Sequence, residues 1–246
     1  MAAGLIGRIA LALQPGPKGI RGPSPGLLAK EIAALPALFA GRQPRMDIAP
    51  AAHPATVLLV PGFLTGPGLL RPLRRALKAA GHGCAEWGQG INLGLDQRNL
   101  DGLVARMAQL AERDGRPPAL VGWSLGGLFA REAARRAPAH AARVITMGSP
   151  FSGNRHANNA WRLYHLVAGH DVDHPPGIAN LAAKPPVRTL AIWSGRDGVV
   201  CPQSAAGQPG ERDASVEVGC AHMHMPLDAA TIRAVLAELD RSADRG

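Results

Sequence analysis

The segment Gly122-Trp123-Ser124-Leu125-Gly126-Gly127 has the residue types and spacing best suited to chemistry in this chain. It is a G-x-S-x-G pattern, preceded by the short apolar run 119–121 and followed by helix-periodic residues 125–136. A serine in that setting sits on a turn sharp enough to strain its backbone, and Gly122 and Gly126 remove side chains that would collide across it. Such a hydroxyl is a poor nucleophile at neutral pH and needs a base, usually histidine, to take its proton. The histidine needs a carboxylate to fix its tautomer and stabilise the imidazolium. Ser124 is the one serine of eight on a turn of this kind.

Partners for it must come from elsewhere in the chain. Asp197 follows the apolar run 187–193, whereas Asp171 and Asp173 lie in an irregular stretch at 151–183. His222 and His224 follow the short run 216–218, and His156, His165, His170 and His174 crowd the irregular stretch. Histidine is also the commonest metal ligand, so His222 with His224, or the cluster with Asp171 and Asp173, invites a metal reading. Neither set shows the ligand spacing of a tetrahedral site, and a solvated loop is the simpler account. No metal and no cofactor are expected.

These residues are positioned by an alternating pattern. Residues 56–60, Thr-Val-Leu-Leu-Val, form a wholly apolar, β-branched run closed by Pro61-Gly62, which reads as a buried strand. Strands are also expected at 84–87, 119–121, 143–147, 187–193 and 216–218. Helices are expected at 69–80, 97–113, 125–136 and 228–239. Strands alternating with helices imply βαβ units and a mostly parallel sheet covered on both faces, with ligands at the carboxyl ends of the strands. Every candidate above falls just after such a strand or in the 151–183 insert.

Composition bounds the remaining possibilities. The 246 residues suit one α/β domain, with 46% hydrophobic residues to build its core. Three cysteines exclude a disulfide scaffold and fit a reducing compartment, and aromatics at 4% argue against a base-stacking nucleic-acid surface. No apolar run reaches membrane-spanning length, and Arg8 interrupts what would be the core of an export signal. The net charge of +9 is uneven: residues 1–46 carry Arg8, Lys18, Arg21, Lys30, Arg42 and Arg45 against Glu31 alone. Residues 1–50 are thus expected as a basic arm with a short helix at 27–39, interrupted at Pro36. Its charge suits either a solvated arm or contact with anionic lipid. A cytoplasmic protein, with loose membrane contact at most, is the resulting expectation.

From Thr56 onward the chain resembles the α/β-hydrolase superfamily of serine esterases and lipases, through Pro61-Gly62-Phe63-Leu64 after an early strand and Gly122-Trp123-Ser124-Leu125-Gly126-Gly127 at the elbow. The resemblance implies a mostly parallel sheet with helices on both faces, and a domain over 51–246 with a cap or lid at 151–183. It also implies a Ser, acid, His order, which places the acid at Asp197 and the base at His222; His224 stands where relatives tend to have Gly. The oxyanion hole would use the amides of Leu125 and Phe63, although Pro61 replaces a histidine common at that loop. Phe151, Trp161, Leu163, Tyr164, Leu166 and Val167 would line an acyl pocket or simply pack a cap helix. Cys201 and Cys220, close to the acid and the base, would then be neighbours, as buried thiols more readily than as a disulfide. The implied activity is hydrolysis of small-molecule or lipid carboxylic esters. Thioester hydrolysis or acyl transfer would use the same residues, and a non-catalytic binding protein on this scaffold is the alternative from another class.

Overall fold

The computed structural model describes residues 4–40, 46–178 and 180–241. Its centre is a six-stranded sheet: β1 (Thr56–Val60), β2 (Gly83–Glu86), β3 (Ala119–Trp123), β4 (Arg143–Met147), β5 (Arg188–Ser194) and β6 (Ala214–Val218). The strand order is β2-β1-β3-β4-β5-β6, and each neighbouring pair is parallel. The helices are α1 (Leu5–Leu13), α2 (Pro25–Ala40), α3 (Arg71–Ala79), α4 (Gln97–Asp114), α5 (Leu125–Arg136), α6 (Trp161–Ala168), α7 (Pro202–Ala206) and α8 (Ala229–Asp240). None of the described helices is long and apolar enough to cross a membrane.

Alternation along the strands explains the two cores. Leu58 and Val60 point to the face covered by α4 and α5, packing with Leu103, Met107 and Phe129. Val57 and Leu59 point to the other face, with Leu73 and Leu77 of α3 and Ile232 and Val235 of α8. All five residues of β1 are buried, as a wholly apolar strand in a doubly covered sheet must be. The expected strands and helices are present, with ends shifted by one or two residues.

The order of connections fixes where a ligand can bind. After β2 the chain crosses back over β1 to begin β3, so the winding reverses between β1 and β3. Open parallel sheets leave a crevice at the carboxyl ends of strands where this happens. Those two ends carry Gly62 and Ser124.

The amino-terminal segment is not the solvated appendage that its charge suggested. α1 packs along α6, and α2 packs on the 3-10 turn His222–Leu227. Arg8 donates to Val167 O at 2.8 Å, and Arg162 donates to Ala12 O and Gln14 O at 3.1 and 2.7 Å. Asn159 donates to Pro23 O at 3.0 Å. Several of the bonds that hold the strap go to its own backbone carbonyls, which no side-chain pattern reveals. Pro36 lies inside α2 rather than ending it; it removes one N–H from the helix but leaves the turns on either side intact. Arg42 and Arg45 lie outside the described residues. All three cysteines are free, with Cys201 Sγ turned toward Arg21 O and Cys220 Sγ toward Thr231 Oγ1.

Candidate active site

Ser124 occupies the turn between β3 and α5 with φ 53° and ψ −122°. A non-glycine residue pays about 1–3 kcal/mol for such a conformation, and it persists only where the surroundings over-determine it. Here they do. Ser124 N–H donates to Met147 O at 2.8 Å, and Gly127 N–H donates to Ser124 O at 3.0 Å. A Cβ on Gly126 would collide with the carbonyls of Val60 and Pro61, so α5 can start this close to β1 only with glycine there.

Asp197 and His222 are brought together by the turns after β5 and β6. His222 Nδ1 lies 2.7 Å from Asp197 Oδ2, and both side chains are buried. Asp197 Oδ1 accepts from the amides of Val199 and Val200 at 2.8 and 2.7 Å, which fixes the carboxylate plane. With Nδ1–H donating to Asp197, the lone pair of His222 is on Nε2. Burial by itself would lower the His222 pKa, but Asp197, through charge and hydrogen bond, and Glu31 outweigh it and raise the value above 6.5. The ring rests on Gly148, where a Cβ would fall 2.9 Å from Nδ1 and where φ is +58°. Met147 and Gly148 at the end of β4 thus support Ser124 and His222 together. The sequence offered one signal for this, a glycine directly after a strand.

The loop after β1 is held open by Asn92, a buried residue that sequence reasoning missed. Asn92 Nδ2 donates to Pro61 O at 2.8 Å, while its main-chain carbonyl accepts from Leu64 N–H at 2.7 Å and its main-chain N–H donates to Thr65 O at 2.9 Å. Thr65 donates its amide and hydroxyl to Gly62 O. These bonds use the amides of Leu64 and Thr65 and leave Phe63 N–H without a partner among the described residues. Leu125, first residue of α5, has no carbonyl one turn back in its helix to bond. A Cβ on Gly62 would lie 3.3 Å from Ser124 Cβ, so the two loops are in contact.

A cavity of about 580 Å³, including its mouth, opens beside Ser124. Its walls are mostly apolar: Phe63, Leu95, Leu128, Trp161, Tyr164 and Val200 among them. Trp161 and Tyr164 come from α6 in the 151–183 stretch and line this cavity beside Ser124. Phe151 instead packs in the core beneath Arg131, whose guanidinium stands 4.0 Å over its ring. Leu163 and Leu166 face solvent.

His224 is apart from this arrangement. It lines a second cavity with Lys30, Arg196 and Cys220, and its Nε2 has no hydrogen-bond partner among the described residues. In the insert, the ligand atoms of His156, His165 and Asp171 lie within 4.8 Å of one another and are the residues that could hold a metal. His165 is already engaged at both nitrogens, with Nδ1 3.1 Å from Leu11 O and Nε2 accepting from Val172 N–H at 3.0 Å. His156 Nδ1 is buried without a hydrogen-bond partner among the described residues, with Asp173 Oδ1 3.7 Å away. His170 Nε2 is 2.8 Å from Leu95 O, and His174 is exposed.

No protein-family model and no curated protein matches the chain in sequence. In structure it has the α/β-hydrolase fold. Naproxen esterase from Bacillus subtilis superposes with a TM-score of 0.51 at 11% identity, over 87% of this chain and 97% of that one. A monoacylglycerol lipase from Paleococcus ferrophilus gives 0.54 at 16%, over 78% and 96%. Lipase BlEst2 from Bacillus licheniformis, in its propeptide form, gives 0.60 at 18%, over 80% of this chain and 53% of that chain.

Proposed function

We propose that this protein is a serine hydrolase of carboxylic esters, with Ser124 as nucleophile, His222 as base, Asp197 as the orienting acid, and the Phe63 and Leu125 amides as oxyanion donors. The observation that carries the reading is the strained Ser124, set at the switch point of the sheet and opening on an apolar cavity. Similar folds in a naproxen esterase and a monoacylglycerol lipase agree with it.

His222 Nε2 takes the hydroxyl proton as Ser124 Oγ attacks the ester carbonyl, and the imidazolium is stabilised by Asp197. The negative charge developing on the carbonyl oxygen is met by two N–H groups that have no other partner among the described residues, so little reorganisation is needed. His222 then protonates the leaving alkoxide, giving an acyl-enzyme. Water, deprotonated by the same nitrogen, releases the acid and restores Ser124. The acyl chain occupies the cavity beneath α6, whose walls offer it apolar contact.

Contact with an anionic lipid surface is part of the same reading. α1 exposes Leu5, Ile6 and Leu13 at 70, 86 and 77%, and exposed Lys18 and Arg21 follow. Apolar side chains beside cations suit a negatively charged interface. The full chain is expected to sediment with phosphatidylglycerol vesicles, and Leu5→Ser with Ile6→Ser to abolish this.

Fluorophosphonate labelling tests the chemistry without knowledge of the substrate. The native chain should label at Ser124 and hydrolyse a soluble short-chain ester. Ser124→Ala should do neither while staying folded. Labelling elsewhere, or retained turnover by Ser124→Ala, would overturn the assignment.

A further inference from the structure

Glu31 is the lone acidic residue in the first 46, and its side chain is buried between the loops that carry Asp197 and His222. Oε1 accepts from Gly198 N–H and from His222 N–H, both at 2.7 Å, and Oε2 accepts from Met223 N–H at 2.9 Å. Gly198 directly follows Asp197. One carboxylate thus joins the residue after the proposed acid to the backbone of the proposed base, across separations of 167 and 191 residues. The fit is close, since a Cβ on Gly198 would collide with Leu27 O and Glu31 Cγ.

No ion pair to Glu31 is found among the described residues, so three amide dipoles hold its charge. Burying a carboxylate costs several kcal/mol before its hydrogen bonds are counted, and a neutral side chain could cover the same surface. What a neutral residue cannot do is accept three amide N–H bonds and place negative charge beside the imidazole.

We propose that Glu31 is a positioning residue for the Ser124–His222–Asp197 constellation, making the amino-terminal helix α2 a working part of the active site. Its carboxylate locks the acid-bearing and base-bearing loops in register and adds to the stabilisation of the imidazolium formed when Ser124 loses its proton. The inference rests on the serine hydrolase reading. Charged and titratable groups around the base-bearing loop include Asp197 and Arg196 after β5, Glu31 and Lys30 on α2, Cys220 and His224 on the loop itself, and Asp228 at the start of α8. β3 and β4 contribute uncharged Trp123 and Gly148.

The test uses the full chain and its Glu31→Gln variant, which keeps the shape but replaces one acceptor with an NH₂ facing a donor. Fluorophosphonate labelling rate, kcat and KM on a soluble ester are followed across pH, with unfolding temperature measured alongside. The expected result is a fall of about 10- to 100-fold in labelling rate and kcat, as for a misplaced catalytic group, with KM within about twofold. The acid limb of the kcat/KM profile should move to lower pH. Glu31→Asp, which keeps the charge, should return the limb toward its native position, and it carries the test if Glu31→Gln does not fold. A folded Glu31→Gln with native labelling rate and pH profile would overturn the inference and leave the hydrolase reading standing. So would a loss that disappears well below the variant's unfolding temperature. A native chain that does not label at Ser124 would overturn the hydrolase reading, and this inference with it.

Discussion

Trp123 donates its indole N–H to the backbone carbonyl of His222 at 3.3 Å, so the residue before Ser124 is bonded to the residue proposed as its base. The two rings also lie 5.9 Å apart, tilted by 34°. In G-x-S-x-G the position before the serine is free in principle, but here a large buried side chain fills it and reaches the neighbouring loop. Trp123→Phe keeps most of the apolar packing and removes the donor. It should cost about 1–2 kcal/mol of stability, the usual price of a lost buried hydrogen bond, and lower kcat more than it raises KM. Urea unfolding and steady-state kinetics on the same preparation check both effects.

Asp197 uses its two oxygens differently, one for His222 and one for the amides of Val199 and Val200. An asparagine cannot accept at both, because its NH₂ must then face an N–H. Asp197→Asn should therefore leave the fold intact and lower kcat by about four orders of magnitude. Asp171→Asn, in the insert, should leave turnover within about twofold. A kinetic comparison of the two variants decides where the acid resides, and a reversed order would move it to the insert.

The pH dependence follows from the raised His222 pKa, with the sign set by its proposed role as base. A base must be neutral to take a proton, so kcat/KM should rise with pH through an ionisation above 6.5, the ordinary histidine value. For stability the direction is opposite. A histidine whose folded pKa exceeds its unfolded value stabilises the fold fully below the unfolded pKa, and that contribution is lost as pH rises through the folded pKa. Activity should thus increase across the interval in which unfolding free energy declines. A pH–rate profile beside urea titrations at each pH would reveal this divergence, and parallel curves would contradict it.

How far the sequence disclosed this arrangement depended on the kind of interaction. Apolar runs such as residues 56–60 announce buried strands, and a Ser–Gly turn between a strand and a helix announces its own strain. Asp197 and His222 each stand just after an expected strand, but only the resemblance to α/β-hydrolases implied that these two would pair; their 2.7 Å contact is a structural finding. Asn92 and Glu31 were not legible, because their partners are backbone N–H and C=O groups, which every residue has and no pattern marks. The basic amino-terminal segment misled for a related reason: its charges are conspicuous, while the carbonyls of Ala12, Gln14 and Pro23 that hold it down are invisible in sequence. Deleting it to test membrane contact would also remove Glu31, so point changes on α1 are the cleaner probe.

The histidine cluster of the insert yields the last prediction. His156, His165 and Asp171 approach closely enough for shared metal ligation, but a ring nitrogen has one lone pair. That of His165 Nε2 receives the Val172 amide at 3.0 Å, and the opposite nitrogen faces Leu11 O, which calls for a proton there. A cation at Nε2 would have to displace the Val172 bond and strand its N–H. The cluster instead couples α6 to α1 through His165 and to the following loop through Val172. Dialysis against a chelator should therefore leave both unfolding temperature and ester turnover unchanged. His165→Gln should loosen α1 and lower the unfolding temperature whether or not zinc is added. A chelator-induced drop in unfolding temperature that zinc restores, and that His165→Gln abolishes, would instead make this cluster a metal site.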